Sequence, residues 1–210
     1  MSTPFSEALR RRLAAACQAF PRLAEPAGSA GLKRAAVAVV LLPMGDDADS
    51  AAFLLTRRAT GLRGHSGQWA LPGGRCEEGE TAAAAALREL GEEVGLELGA
   101  QDVLGLLDDY PTRSGYLITP VVVWAGVPGQ LSLDPSEVAA VYRIALAELV
   151  DGDAADFSAI PESDRRLIRL RINGGWLHAP TAAVLYQFAE LVKGRVTRVS
   201  DLEQPVFAWR

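Results

Sequence analysis

The stretch that decides the fold runs from Leu71 to Leu98 and reads LPGGRCEEGETAAAAALRELGEEVGLEL. Thr81 or Glu80 is placed to begin a helix, because side-chain oxygens cap the free N–H groups of a first helical turn. Gly95 is placed to end it, because glycine readily adopts the left-handed conformation that closes a helix. The stretch therefore predicts a glycine-containing loop followed by a helix of about four turns.

This helix is predicted to have one apolar face and one acidic face. At about 100° per residue, four apolar side chains share a stripe, and three glutamates share an arc about 100° wide. The stripe comprises Ala83, Leu87, Leu90 and Val94, and the arc comprises Glu89, Glu92 and Glu93. Glutamates three or four positions apart repel one another, and the C-terminal end of a helix disfavours negative charge.

Two explanations fit this acid cluster. A solvated acidic face is the ordinary one, but such faces usually alternate lysine with glutamate for mutual support. This helix offers only Arg88 as a basic residue. A divalent cation that prefers oxygen ligands would turn the repulsion into coordination. We therefore predict that Glu89, Glu92 and Glu93 bind a divalent metal ion.

The order of residues in this stretch resembles the Nudix box at all of its fixed positions. These are Gly74, then after five residues Glu80, after seven more Arg88-Glu89-Leu90, after one more Glu92-Glu93, and after one more Gly95-Leu96. The resemblance implies an α/β fold, namely an α/β/α sandwich with a mixed β-sheet between helices. It also implies Mg²⁺ or Mn²⁺ as cofactor and hydrolysis of a diphosphate linked to another group.

The resemblance also implies roles for the residues of the box. Glu89 and Glu93 are expected to be direct metal ligands, and Glu92 to be a ligand or a base. Gly73 is placed in the metal site because glycine lets the backbone approach a metal or substrate closely. The positions expected to shape the motif itself are Gly74, Glu80, Arg88 and Gly95.

The general base is left open between a glutamate of the box and a later glutamate. Glu137, in the segment DPSEVAAVYRIALAEL, follows a predicted strand, where such a later catalytic glutamate is found in the family. The alternative is that Glu137 merely stabilises the N-terminus of a helix through the helix dipole.

Basic residues are concentrated just before the box. Arg57, Arg58, Arg63 and His65 lie within nine residues of an otherwise acidic chain. Arginine suits the geometry of phosphate, so we expect these four residues to bind substrate. A solvated strand end and loop is the alternative.

This region also resembles the motif that precedes the box in Nudix coenzyme A diphosphatases. The matching residues are Leu54-Leu55-Thr56, Arg58-Ala59, Arg63, Gly67 and Pro72-Gly73-Gly74. Leu71 departs from the motif, because that subfamily usually has phenylalanine there. The resemblance implies that coenzyme A or its thioesters are cut into adenosine 3′,5′-bisphosphate and 4′-phosphopantetheine or its acylated form.

Several alternatives stay open at this point. The substrate could instead be ADP-ribose, a dinucleotide or a nucleoside triphosphate, and some Nudix-like domains sense nucleotides without catalysis. Tyr110 or Tyr116 could contact an adenine, although a buried strand aromatic is the more ordinary interpretation of either.

The rest of the chain predicts interleaved strands and helices in a single Nudix domain, residues 1–210. Residues 1–34 are expected to form an N-terminal helix and connector, with the helix capped at Ser2 or Thr3 and running to about Phe20. The catalytic core is placed at residues 35–195 and a tail at 196–210. The strands AAVAVVLLP and AAFLLTRR are expected to be neighbours, and Pro180 and Gly194 to bound a last helix.

Composition excludes some classes of protein. The net charge of −5 argues against a nucleic-acid-binding or membrane-binding surface over the whole molecule. The chain has two cysteines, without CxxC spacing, and lacks an apolar run of the roughly 20 residues that span a bilayer. We therefore expect a cytoplasmic protein with a small nucleotide as its partner. A homodimer is left open, and an organelle transit peptide is a weaker alternative for the arginine-rich N-terminal segment.

Overall fold

The structure is a computed structural model that describes residues 3–45, 50–60, 67–151 and 154–209. Its helices are α1 (Glu7–Ala19), α2 (Ala82–Val94), α3 (Leu146–Val150) and α4 (Thr181–Val192). Its strands are β1 (Lys33–Pro43), β2 (Ala51–Arg58), β3 (Trp69–Ala70), β4 (Gly73–Arg75), β5 (Val103–Leu106), β6 (Tyr110–Pro111), β7 (Tyr116–Trp124), β8 (Val138–Ala145), β9 (Ala155–Ile160), β10 (Ser163–Ile172) and β11 (Gly175–His178).

A mixed sheet forms the centre of the fold. Strand β1 runs parallel to β7, with Lys33 opposite Tyr116 and Leu41 opposite Trp124. It is antiparallel to β2 and to the short strand β4. Strand β2 also pairs with β3 and β8, and β7 pairs with β5 and β6. The two apolar runs predicted to be neighbouring strands are therefore β1 and β2.

Helices cover both faces of this sheet because successive residues of β1 point to opposite sides. The residues of β1 that pack with Leu90 and Val94 of α2 are Ala36, Ala38, Val40 and Leu42. The residues of β1 that share the opposite buried cluster with Leu13 of α1 and Phe188 of α4 are Val39 and Leu41. This layering confirms the predicted α/β class with a mixed sheet between helices.

The start of α1 differs from the prediction. Ser6 caps the helix, and its hydroxyl accepts a hydrogen bond from the N–H of Leu9 at 3.3 Å. Thr3 cannot serve as the cap because its carbonyl accepts a bond from Ala51 N–H at 2.7 Å, which holds this segment against the start of β2. Ser2 lies outside the described residues. The end of the helix at Ala19 agrees with the predicted boundary near Phe20.

The boundaries of α2 confirm those predicted. The hydroxyl of Thr81 accepts a hydrogen bond from Ala84 N–H at 3.2 Å. Gly95 ends the helix with φ of +68°, in the left-handed region. The apolar stripe is shifted from the predicted one, because Ala83 and Leu87 are only half-buried. The residues of α2 that the sheet buries are Ala85, Ala86, Leu90, Glu93 and Val94.

A second, three-stranded antiparallel sheet, in the order β11-β10-β9, lies outside the sequence-based predictions. Helix α4 packs against β10 and β11. Leu170, Leu177 and Leu185 belong to the same buried cluster as α1, so this sheet extends one face of the molecule. Among the described helices, none combines the length and apolar composition that crossing a membrane requires.

Candidate metal centre

The glycine loop before α2 brings the backbone of β4 against the glutamates of the helix. Gly73 N–H donates to Glu93 Oε2 at 3.2 Å. A Cβ atom at Gly73 would overlap the carbonyl oxygen of Ala36 in β1, and one at Gly74 would overlap the carboxylate of Glu89. Both positions therefore need glycine for close approach, and the approach fixes where Glu89 and Glu93 lie.

Three carboxylates converge beside this loop. Glu89, Glu93 and Glu137 each offer an oxygen atom, and these atoms all lie within 4.8 Å of one another. Glu89 and Glu93 are four residues apart on α2, so they lie on one face of the helix. Within the part of the chain that the structure describes, this is the acidic group with the spacing of a metal site.

Glu137 reaches the group from a separate loop. Residues 135–137 form a turn that leads directly into β8. The carbonyl of Glu137 accepts a hydrogen bond from Ala59 N–H at 2.8 Å, which ties this turn to the end of β2. Glu137 thus precedes a strand, and the alternative that it stabilises a helix N-terminus is wrong.

Glu92 lies apart from the three convergent carboxylates. Its side chain is 61% exposed, and Glu92 Oε2 accepts a hydrogen bond from Arg88 at 2.8 Å. Arg88 also donates to Glu89 at 2.9 Å, to Glu80 at 3.0 Å and to the carbonyl of Arg75 at 3.0 Å. Arg88 therefore joins the glycine loop to the helix and restrains the Glu89 side chain.

Glu80 accepts hydrogen bonds from within the glycine loop and from Arg88. Its second oxygen accepts a hydrogen bond from Glu77 N–H at 2.8 Å. The hydrogen bonds from Arg88, with that from Glu77, lower the pKa of Glu80, so its carboxylate stays charged. The contacts of Glu80 lie within the loop and to Arg88, in line with the structural role expected from the motif.

The electrostatics of the convergent carboxylates are unfavourable without a cation. Burial raises the pKa of Glu93 to about 7, against the opposing hydrogen bond from Gly73; nearby Glu89 and Glu137 raise it further, and Arg58 lowers it. Burial also raises the pKa of Glu89, although Arg88 opposes this. An all-oxygen donor set of this charge suits Mg²⁺ or Mn²⁺, so the residues fit the predicted ion.

A cavity of ≈510 Å³ opens beside the glycine loop. Arg58 and Arg75 provide its positive charge, and Gly73 and Gly74 form part of its floor. Its apolar walls include Val37, Leu71, Ile118 and Val184. The cavity is therefore suited to a molecule with an anionic part and an apolar part.

The predicted substrate-binding residues are only partly brought together. Arg58 lines the cavity, whereas Arg57 lies beside it, with Nε donating to Gly67 O at 3.1 Å and its guanidinium 6.0 Å from the ring centroid of Trp69. Arg63 and His65 lie outside the described residues.

The two tyrosines have different positions. Tyr110 is buried, and its hydroxyl donates to the carbonyl of Leu202 at 2.9 Å, so it cannot contact an adenine. Tyr116 lines the cavity, with the guanidinium of Arg75 5.2 Å from its ring centroid.

Sequence reasoning missed other residues of the cavity wall. Pro180, Thr181 and Val184 come from the start of α4, and Gln204 comes from the C-terminal tail. Gln204 is held by Arg113 N–H, which donates to its side-chain oxygen at 2.7 Å. No spacing in the sequence links these segments to the glycine loop. Arg75 could have been found, because it directly follows the two glycines.

Comparisons with known proteins agree with this geometry. The NUDIX domain family matches residues 32–166. An uncharacterized Nudix hydrolase NudL from Photorhabdus laumondii is 34% identical over 149 residues, covering 67% of this chain and 77% of that protein. Its namesake in Escherichia coli (strain K12) is 42% identical over 99 residues, covering 46% of this chain and 50% of that protein, so the chain spans only half of that relative.

A solved structure shows the same fold. A MutT/nudix family protein from Enterococcus faecalis superimposes with a TM-score of 0.50 at 19% identity, covering 77% of this chain and 60% of that chain. The domain match extends over more than half of the sequence and contains both the glycine loop and all three convergent carboxylates. The chain therefore belongs to the Nudix hydrolase family.

Proposed function

We propose that the chain hydrolyses the diphosphate bond of a nucleoside diphosphate derivative, and that its substrate is coenzyme A or one of its thioesters. The observation that carries the proposal is the convergence of Glu89, Glu93 and Glu137 beside a glycine loop that opens into a cavity with arginines in its wall.

Glu89 and Glu93 would hold Mg²⁺ or Mn²⁺, and the nearby Glu137 would remain free to act as a base. When bound, such an ion neutralises charge on the diphosphate oxygens and makes a bound water more acidic. Arg88 keeps the Glu89 carboxylate in place through its hydrogen bond at 2.9 Å. Gly73 does the same for Glu93 through its N–H.

The chain's own residues supply the remaining functions. Arg58, at the end of β2, would bind a phosphate oxygen of the substrate within the cavity. Glu137, on a loop separate from α2, would accept the proton of the attacking water at its carboxylate. Glu92 would act by restraining Arg88, with which it forms an ion pair at 2.8 Å.

The choice of coenzyme A rests on two features. The residues from Leu54 to Gly74 resemble the motif of coenzyme A diphosphatases. The cavity combines Arg58 and Arg75 with apolar walls, which suits a diphosphate attached to a long, weakly polar arm.

Hydrolysis of coenzyme A, ADP-ribose and NADH in the presence of Mg²⁺ tests the proposal. The reactions are run in water enriched in heavy oxygen, and the products are identified by mass spectrometry. We expect adenosine 3′,5′-bisphosphate and 4′-phosphopantetheine, one of them carrying the label. Hydrolysis of ADP-ribose or NADH without hydrolysis of coenzyme A would contradict the proposed substrate. If none of the three compounds is hydrolysed, the proposed activity is contradicted.

A further inference from the structure

We call the cavity beside the glycine loop the catalytic cavity, and a second cleft, of ≈270 Å³, adjoins it. We call it the aromatic cleft, after its side chains Trp69, Trp176, His178 and Phe207. The residues that line both the catalytic cavity and the aromatic cleft are Gln68, Trp69, Pro180 and Thr181. The two spaces therefore share part of their wall.

Most of the aromatic cleft comes from the C-terminal part of the chain. Trp176 and His178 belong to β11, and Phe207 lies in a 3₁₀ turn, Val206–Ala208. These residues follow the segment 32–166 that matches the Nudix domain. The aromatic cleft is thus an addition to the hydrolytic domain, at a place where substrate specificity can be set.

The rings of the aromatic cleft are available to a ligand. Trp176 is 42% exposed and Phe207 is 59% exposed, although both are large and apolar. Phe207 meets the ring of His178 edge to face, at 5.3 Å between centroids. Arg169 lies 4.1 Å from the centroid of Trp176 and so helps to hold that ring in place. Preorganised, partly exposed rings are suited to stacking on a flat molecule.

His178 contributes an uncharged ring to the aromatic cleft. Its Nδ1 atom is buried and has no hydrogen-bond partner among the described protein groups. Burial lowers the pKa of His178, and so does nearby Arg169, so the ring is neutral at pH 7 and has one N–H donor and one acceptor nitrogen. Because Nδ1 is buried, a ligand in the aromatic cleft meets the ring of His178 and not this atom.

We propose that the aromatic cleft binds the purine base of the substrate while the diphosphate lies at the glycine loop. This inference rests on the proposed function, because it places one half of the same substrate. A purine offers two faces for stacking and an edge with an amino donor and ring-nitrogen acceptors. An acyl or pantetheine arm finds a better match in the apolar walls of the catalytic cavity.

Arg57 supports the same orientation. It lines the aromatic cleft beside Trp69, whereas Arg58 lines the catalytic cavity. A base in the cleft would bring the phosphate on its ribose toward Arg57 and the diphosphate toward Arg58. The neighbouring arginines would then bind the two phosphorylated ends of one nucleotide.

Calorimetric titration with adenosine 3′,5′-bisphosphate tests the inference without requiring hydrolysis. We compare the wild-type protein with His178→Ala and Phe207→Ala. We expect each substitution to weaken binding about tenfold, the usual effect of losing one stacking contact. Val206→Ala is the matched control, since it lies in the same 3₁₀ turn but does not line the cleft, and it should retain the wild-type Kd.

Two results would overturn the inference: wild-type affinity in both cleft variants, or no binding of the bisphosphate to the wild-type protein. Steady-state kinetics provides a second readout, because loss of a base contact should raise KM for coenzyme A about tenfold and change kcat less. Failure of the proposed function gives a different result. In that case the wild-type protein does not hydrolyse coenzyme A, while the cleft variants still bind the bisphosphate more weakly than the wild type.

Discussion

Glycine at position 74 keeps the Glu89 carboxylate close to the loop, because any Cβ atom there would overlap it. Arg88 holds the same carboxylate from the other side with a hydrogen bond of 2.9 Å. The position of the Glu89 carboxylate, the proposed metal ligand, is therefore determined by a missing side chain and by one arginine. Both residues can be tested singly.

We predict that Gly74→Ala lowers kcat/KM for the hydrolysed substrate about 100-fold, because a catalytic group displaced by about 1 Å costs that much. The variant should fold normally, since the overlap involves the end of a flexible side chain. Gly129→Ala is the control, because a Cβ at Gly129 meets no atom within 4 Å and its φ is not positive. Equal activity of Gly74→Ala and the wild type would show that Glu89 is free to move without loss.

The identity of the glutamates could be predicted from sequence, but not their arrangement. Helical periodicity places Glu89, Glu92 and Glu93 on one arc. It does not reveal that Glu93 is only 3% exposed, because that depends on how the glycine loop packs on α2. Glu137 joins the group through a loop more than forty residues away, which is brought there by the pairing of β2 with β8 and by the hydrogen bond from Asp134 N–H to the carbonyl of Glu93 at 3.1 Å.

Helix α2 carries two of the three convergent carboxylates, and its ends are fixed by local interactions. The Thr81 hydroxyl caps the first turn and Gly95 closes the last. Such signals act within a few residues, which explains why the sequence alone located this helix correctly. The start of α1 differs from the prediction because the carbonyl of Thr3 is held by Ala51 N–H at the start of β2, which is a long-range contact.

At this scale we predict that Thr81→Ala destabilises the protein by about 0.5–2 kcal/mol, because the first turn of α2 loses its cap. The free energy of unfolding, measured with urea, checks this. Thr81→Ser retains the hydroxyl and should stay close to the wild type. A loss of equal size in both variants would mean that the methyl group, and not the cap, is responsible.

For the whole molecule, the C-terminal segments complete what the domain core begins. Helix α4 and the tail supply walls to the catalytic cavity, and β11 and the 3₁₀ turn supply walls to the aromatic cleft. Strand β10 reads SDRRLIRLRI, in which Ile168, Leu170 and Ile172 alternate with Arg169 and Arg171 as in a half-buried strand, so this strand could have been predicted although the sheet could not. Its position depends on pairing with its neighbours and on packing against α4.

The tail is held by a buried carboxylate whose charge depends on pH. Burial would raise the pKa of Glu203, but hydrogen bonds from Arg113, Ser163 and Gln204 N–H outweigh it and lower that pKa to about 2. Glu203 binds fewer protons in the folded state than in the unfolded state. Its contribution to stability is therefore present above its ordinary pKa of 4.5 and is lost as pH falls from there toward 2.

We predict that the wild-type protein loses stability over this interval and that Glu203→Gln loses less, while being less stable than the wild type at pH 7. Urea unfolding at pH 7, 4 and 3 measures both effects. Glu78→Gln, at an exposed position in the glycine loop, is the control and should follow the wild type. The same pH dependence in Glu203→Gln and the wild type would show that Glu203 does not cause the loss of stability at low pH.

Calorimetric titration of the protein with Mn²⁺ and with Mg²⁺ at neutral pH measures whether the convergent carboxylates bind a metal ion. If the convergent carboxylates are a metal site, the wild-type protein binds the ion and Glu93→Gln binds it at least about tenfold more weakly. Glu97→Gln, an exposed glutamate just after α2, keeps the wild-type Kd. No uptake of either ion, with or without nucleotide, or equal uptake by Glu93→Gln, would contradict the account.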